Sequence, residues 1–211
     1  VMLQKLWDAK RICVLSGPSH AEEVAKKMPA SVVVAGEDEK LSEYVQKLMS
    51  NEYFRIYTND DRIGVELCGP VKNVIAIASG ICDGLGLGDN AKSALITRGM
   101  EEMRRLLEAA GASPTTATGL AGLGDLVTTS ISPFGRNRKV GLMLAEGKSL
   151  DEIVGEMEAV AEGITTTRPL LQMAERNEVE MPICSTVSAV LFKGLEPSRG
   201  VKMLMTRDLK S

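Results

Sequence analysis

Up to residue 59 this sequence alternates short β-branched runs with short helical segments, and from residue 60 onward every strong signal is helical. That change of pattern constrains the fold more than any single motif. RICVLSGP (11–18) reads as a strand running into a Gly-Pro turn, and 19–27 as a helix with Ser19 as N-cap and Glu22 completing a capping box. ASVVVAG (30–36) and YFRIYTN (53–59) read as strands. Between them, 37–50 has helical periodicity at Leu41, Tyr44, Val45 and Leu48. Strands alternating with short helices describe the edge of an α/β sheet. The rest predicts helices at 60–84, 90–110, 115–129, 134–146, 150–155, 161–177, 182–193 and 197–205, the second stopped by Gly111 and Pro114. The expectation is a mainly α fold with a boundary near residue 59: an α/β remnant over 1–59 and a helical unit over 60–211.

A chain of 211 residues with 44% hydrophobic and 25% charged residues has enough material for a real core. A net charge of -3 and 3% aromatics argue against a nucleic-acid surface. No run of membrane-spanning length is free of charge, so no membrane insertion is expected. The four cysteines, Cys13, Cys68, Cys82 and Cys184, are scattered without a CxxC, and His20 is the single histidine. A metal site is therefore not expected, and a reducing, cytoplasmic setting is. The chain opens on Val1 and not on methionine, which reads as a cut edge.

Several polar residues stand in settings that chemistry can use, each with a structural alternative. Lys72 and Asn73 interrupt the apolar VELCGPVKNVIAIASGI. A desolvated lysine has a tunable pKa suited to proton transfer, while a solvent-facing lysine on an amphipathic helix fits the same letters. GLAGLGDL (119–126) puts Asp125 in a glycine-rich bend, either to orient an amine or to cap a helix. SPFGRNRKVG (132–141) opens a helix on Arg136 and Asn137, either as a phosphate clamp or as a solvated basic start. SGPSHA (16–21) is a strand-to-helix turn with backbone N–H groups that could bind an anion. GLGLG (84–88) follows a helix and lacks the full dinucleotide spacing, so it reads as a helix break with Asp89 as the next N-cap.

Taken together, SGPSHAEEVA, TNDDRIGVELCGPVKNVIAIASGICDGLGLGDNAKSALITRGMEEM, GLAGLGDL, SPFGRNRKVG and VAEGITTT resemble the NAD(P)-dependent glycerol-3-phosphate dehydrogenase family. The resemblance implies that 60–211 is that family's all-helical substrate domain, of the 6-phosphogluconate dehydrogenase C-terminal-like type. Residues 1–59 would then be the end of its Rossmann domain. The implied chemistry is hydride transfer between NAD or NADP and dihydroxyacetone phosphate or glycerol 3-phosphate, for glycerophospholipid synthesis. By resemblance Lys72, Asn73 and Asp125 are catalytic. Gly17, Ser19, Thr129, Gly135, Arg136 and Asn137 join Lys72 and Asp125 as substrate contacts. Ala21, Arg136, Val160 and Glu162 are cofactor contacts. Cys68, Pro70 and Gly135 depart from the family pattern, and Pro70 is expected to kink its helix. No GxGxxG opens a βαβ unit, so the chain alone is expected to be inactive. The alternatives are a dehydrogenase acting on a hydroxy acid or sugar acid, and a non-catalytic helical oligomerisation module. A homodimer fits any of these.

Overall fold

The computed structural model describes residues 11–157, 159 and 161–208. Among them, three strands and ten α-helices follow in chain order: β1 (Cys13–Ser16), α1 (Ala21–Val24), β2 (Ala30–Gly36), α2 (Glu39–Met49), β3 (Phe54–Asn59), then α3 (Arg62–Gly84), α4 (Gly88–Ala109), α5 (Asp125–Ile131), α6 (Arg136–Ala145), α7 (Leu150–Glu156), α8 (Glu162–Arg176), α9 (Pro182–Lys193) and α10 (Pro197–Met205). The fold is mainly α with a small sheet at its N-terminal end.

The sheet has the order β1-β2-β3, with β2 parallel to β3 and antiparallel to β1. The strand–helix alternation does not by itself fix the antiparallel pair. Its centre, β2, is buried on both faces, which explains the unbroken β-branched run. Val32 and Val34 pack with Ile56 on one side, while Val33 and Ala35 join the helical core on the other. Tyr44 and Leu48 of α2, two of the positions that carry its helical periodicity, are 62% and 67% exposed. The face that α2 turns inward carries Ser42 instead.

α3 is the axis of the helical part. It is long and apolar enough to cross a membrane, yet it is the core helix, with Val65, Val71, Val74, Ile75 and Ile77 at 0–1% exposure. Each such side chain contributes about 1.5–3 kcal/mol on burial. Asp61 starts it: one carboxylate oxygen accepts from Gly64 N, the other from Ser113 N and Thr116 Oγ1. α3 and α6 approach closely because Gly80 and Gly141 face each other, where a methyl group would overlap the carbonyl oxygens of Arg138 and Ile77. Asp83 ties the far end of α3 to Lys92 of α4 and Arg138 of α6 at 2.8 and 2.6 Å. Burial would raise its carboxyl, but the hydrogen bonds from both cations hold it below the usual range.

Local details differ from the sequence reading in three places. Ser19 caps nothing: its hydroxyl donates to Gly17 O, and His20 takes the N-cap position without a side-chain bond. The expected capping box at Ser19 and Glu22 is absent, because the Gly-Pro turn carries the chain past Ser19 before α1 begins. α4 begins at Gly88 with Leu87 at its N-cap, so Asp89 lies in the first turn, where it still meets the helix dipole. The segment 115–129, expected as one helix, is a 3₁₀ turn (Pro114–Thr118), a π turn (Leu120–Gly124) and α5. Its glycines permit backbone geometry that a uniform α-helix does not need.

A buried acid stabilises the C-terminal helices. Glu102 of α4, 1% exposed, accepts from Ile183 N at 2.6 Å and Cys184 N at 3.2 Å, capping α9 from another helix. Burial pushes its carboxyl up, and those N–H groups pull the other way. With the folded value above the unfolded one of about 4.3, the folded state binds this proton more tightly. Its contribution therefore declines as pH rises from about 4 and levels off above the folded value. Glu102→Gln keeps the volume but turns an NH₂ toward one of the two N–H donors. We expect a loss of about 1–3 kcal/mol, a fall in Tm of about 2–10 °C, and a flatter acid-side profile. An unchanged Tm would show that the cap carries little energy.

Candidate active site

Lys72 lies on α3 two residues after Pro70, and the helix runs through that proline without interruption. The Lys72 ammonium donates to Asp125 Oδ2, with the two side chains 18% and 7% exposed. The π turn delivers Asp125 to this position as the first residue of α5. Within that turn Gly122 lies so close to Ala117 that a methyl group would overlap its carbonyl. Thr129, one turn along α5, donates its hydroxyl to Asp125 Oδ1 at 3.1 Å. Each carboxylate oxygen thus has its own donor, which fixes the carboxylate plane and the amine against it.

Asn73, the residue after Lys72 on α3, belongs to a chain of amides. Gly163 N donates to Asn137 Oδ1 at 2.8 Å, Asn137 Nδ2 to Asn73 Oδ1 at 3.0 Å, and Asn73 Nδ2 to Glu162 Oε2 at 3.2 Å. Asn73 and Asn137 are 6% and 7% exposed, and buried amides need such partners. Three helices meet here, α3, α6 and the start of α8. Gly163 permits the meeting: a methyl group there would lie 2.8 Å from Asn137 Oδ1, Asn73 O and Ile77 Cδ1.

The remaining expected residues surround this centre. Gly17 is buried with φ +140, and a side chain there would run into Val32. Pro18 of the same turn faces Gly124 at the end of the π turn. The His20 ring meets Phe134 edge-on with centroids 6.2 Å apart. These contacts hold the Gly17–Ser19 turn beside both glycine loops, with Ser19 and Ala21 exposed. Gly135 is buried at the N-cap of α6, where a methyl group would lie 2.8 Å from Thr129 O. Arg136 is the first residue of α6 and is exposed, whereas Asn137 next to it is buried in the amide chain. Glu162, exposed, opens α8. Val160 lies outside the described residues.

Two residues carry weight that the sequence reading did not give them. Gly163 supplies the backbone N–H that anchors the amide chain; its only sequence signal is a glycine directly after Glu162. Cys68, one turn before Lys72 on α3, is fully buried, and its thiol is pushed up to about 12 by burial, then by the Asp61 and Asp125 carboxylates, against the opposing pull of Lys72. It is therefore a packing residue and no nucleophile at neutral pH.

An exposed arginine at a helix start suits an anion, and a sheltered Lys–Asp pair is of the kind that can move a proton. Residues 61–202 match the model of the NAD-dependent glycerol-3-phosphate dehydrogenase C-terminus, and residues 1–42 that of the N-terminus of the same family. The chain is 52% identical over 200 residues to glycerol-3-phosphate dehydrogenase [NAD(P)+] 1 of Salinibacter ruber, covering 95% of this chain and 59% of that protein. It is 55% identical over 197 residues to glycerol-3-phosphate dehydrogenase [NAD(P)+] of Carboxydothermus hydrogenoformans, covering 93% and 59%. The crystal structure of the Coxiella burnetii glycerol-3-phosphate dehydrogenase superposes with a TM-score of 0.90 at 45% identity, over 92% of this chain and 60% of that one. The chain thus spans about three fifths of the length of the relatives it matches. On these matches, the chain belongs to the NAD-dependent glycerol-3-phosphate dehydrogenase family.

Proposed function

We propose that this chain is the substrate-binding and acid–base part of an enzyme interconverting dihydroxyacetone phosphate and glycerol 3-phosphate with NAD or NADP. In this reading residues 60–211 are the substrate domain and 1–59 the end of the cofactor domain; the N-terminal family match, over 1–42, and the C-terminal one, over 61–202, fall on opposite sides of that division. The observation that carries the reading is the Lys72–Asp125 ion pair, sheltered at 18% and 7% exposure next to the Asn73 amide chain. In the direction of reduction Lys72 Nζ gives a proton to the carbon-2 oxygen; in oxidation the same nitrogen takes it back. Asp125 orients the amine and balances its charge, and Thr129 holds Asp125. The bound dinucleotide supplies or accepts the hydride at carbon 2.

The residues present fit the nicotinamide end of that cofactor. Glu162 is exposed at the start of α8 and bonded to Asn73, the neighbour of Lys72, and Arg136 is exposed at the start of α6 next to Asn137 of the same amide chain. The glycine loop between α3 and α4 does not fit a pyrophosphate, since it joins two helices and follows no strand. The four cysteines are free, in keeping with a reducing cytoplasm, and the products would feed glycerophospholipid synthesis.

The test is an assay of this chain joined to its upstream part. We expect turnover of dihydroxyacetone phosphate with NADH or NADPH and of glycerol 3-phosphate in reverse. Turnover confined to hydroxy acids or sugar acids would overturn the reading. Arg136→Ala should raise KM for dihydroxyacetone phosphate by about 10–150-fold, the worth of a charge-assisted bond to a phosphate. Unphosphorylated dihydroxyacetone should be affected far less. Equal losses on both would remove Arg136 from phosphate recognition.

A further inference from the structure

Each side-chain amide can point two ways, and the amide chain at the centre of this molecule contains its own reason for the direction it takes. A backbone N–H can only donate. Because Gly163 N faces Asn137 at 2.8 Å, the Asn137 oxygen must sit there and its NH₂ must face Asn73 at 3.0 Å. Asn73 then meets Asn137 with its oxygen and turns its own NH₂ outward, where Glu162 Oε2 accepts it at 3.2 Å. A carboxylate can only accept. One end of the chain therefore forces a donor in and the other forces a donor out, and the two agree. Asn73 is adjacent in sequence to Lys72, so whatever fixes Asn73 also fixes this stretch of α3 beside the amine.

We propose that Glu162 is a positioning residue, which acts through Asn73 and Asn137 to lock the amide chain in one polarity and so fix the segment of α3 that carries Lys72 on its neighbouring face. The proposal rests on the acid–base reading of Lys72. One Glu162 oxygen is spent on Asn73, while the residue as a whole is exposed.

Polarity, unlike packing, can be reversed by mutation. Asn73→Asp still accepts from Asn137 but sets a carboxylate against Glu162. We expect Tm to fall by at least about 5 °C, and kcat/KM of the chain joined to its upstream part to fall by about 10²-fold. Glu162→Gln alone keeps an acceptor for Asn73 and should hold Tm within about 2 °C. The double variant Asn73→Asp with Glu162→Gln restores the bond with donor and acceptor exchanged. It should recover most of the lost Tm and about tenfold in kcat/KM, a coupling of ordinary size for residues in direct contact. Additive losses in both measurements would overturn the direct link. Coupling in Tm without coupling in kcat/KM, each taken over the full cycle of single and double variants so that any cofactor loss of Glu162→Gln itself cancels, would overturn the positioning role and leave a structural bond. The acid–base reading fails separately, on Lys72 variants that keep their turnover.

Discussion

Replacing Lys72 by alanine in the chain joined to its upstream part lowers kcat by about 10²–10⁴-fold, the usual loss when a general acid–base group is removed. The KM for dihydroxyacetone phosphate changes much less. The reason is that a proton donor acts on the oxygen as charge develops there, so its contribution falls on the transition state and not on the bound substrate. Phosphate recognition, proposed for Arg136, lies on another helix and survives the change. Alanine also leaves Asp125 without its cation, so a drop in stability accompanies the kinetic loss. Lys72→Arg separates the two effects. A guanidinium keeps the positive charge against Asp125 but does not give up its proton in a protein. It should restore Tm while kcat stays low. An alanine variant with unchanged kcat would remove Lys72 from the chemistry.

What could be read from the sequence followed the strength of local patterns. The alternation before residue 59 and the helical periodicity after it reappear as three strands and a helical body. Apolar runs specify burial on whichever face they occupy, and β2 and α3 carry the strongest. α2 forms where its periodicity predicts a helix. Of the four periodic positions Tyr44 and Leu48 remain exposed, and the helix shelters Leu41, Ser42, Val45 and Gln46 instead. The π turn at Leu120–Gly124 was beyond pattern reading. Glycine-rich LAGLG has no period that distinguishes i→i+5 bonding from an ordinary α-helix, and the choice is made by how Gly122 seats against Ala117.

Of the candidate site, individual polar residues stood out in the sequence, but not the network that joins them. Lys72 and Asp125 stood out because each is a charge in an apolar or glycine-rich setting, and the structure brings them into contact. The amide chain joins residues 64 and 89 positions apart, and no spacing reports which buried amide meets which. Arg136 and Asn137 were read as one clamp because they are adjacent. Successive residues on an α-helix point about 100° apart, so one can face solvent while the other enters the core. Arg136 and Asn137 divide in this way. The anchor at Gly163 carries no side chain at all, and only its closeness to Asn137, Asn73 and Ile77 shows why a glycine stands there.

Asp125→Asn probes the charge of the pair while leaving its shape. The asparagine oxygen can still accept from Lys72, and its NH₂ can donate to the Thr129 hydroxyl, which is able to accept. Both contacts of the native carboxylate thus keep a counterpart, and the side-chain volume is the same. What is lost is the negative charge facing an ammonium that is only 18% exposed. Water compensates little of that loss, so the amine is freed to leave its position or to seek another acceptor. A displacement of about 1 Å at a reacting group is enough to cost about 10²-fold, and we expect kcat/KM to fall by that amount. The melting temperature should fall as well, since a sheltered cation is left without its counter-ion. Thr129→Val gives the complementary case, keeping the charge but removing the donor to Oδ1, and should cost about tenfold at most. Steady-state kinetics on both variants decide the matter. If Asp125→Asn stays within about threefold of the parent while Thr129→Val does not, it is the orientation of the carboxylate, and not its charge, that holds Lys72 ready for the proton.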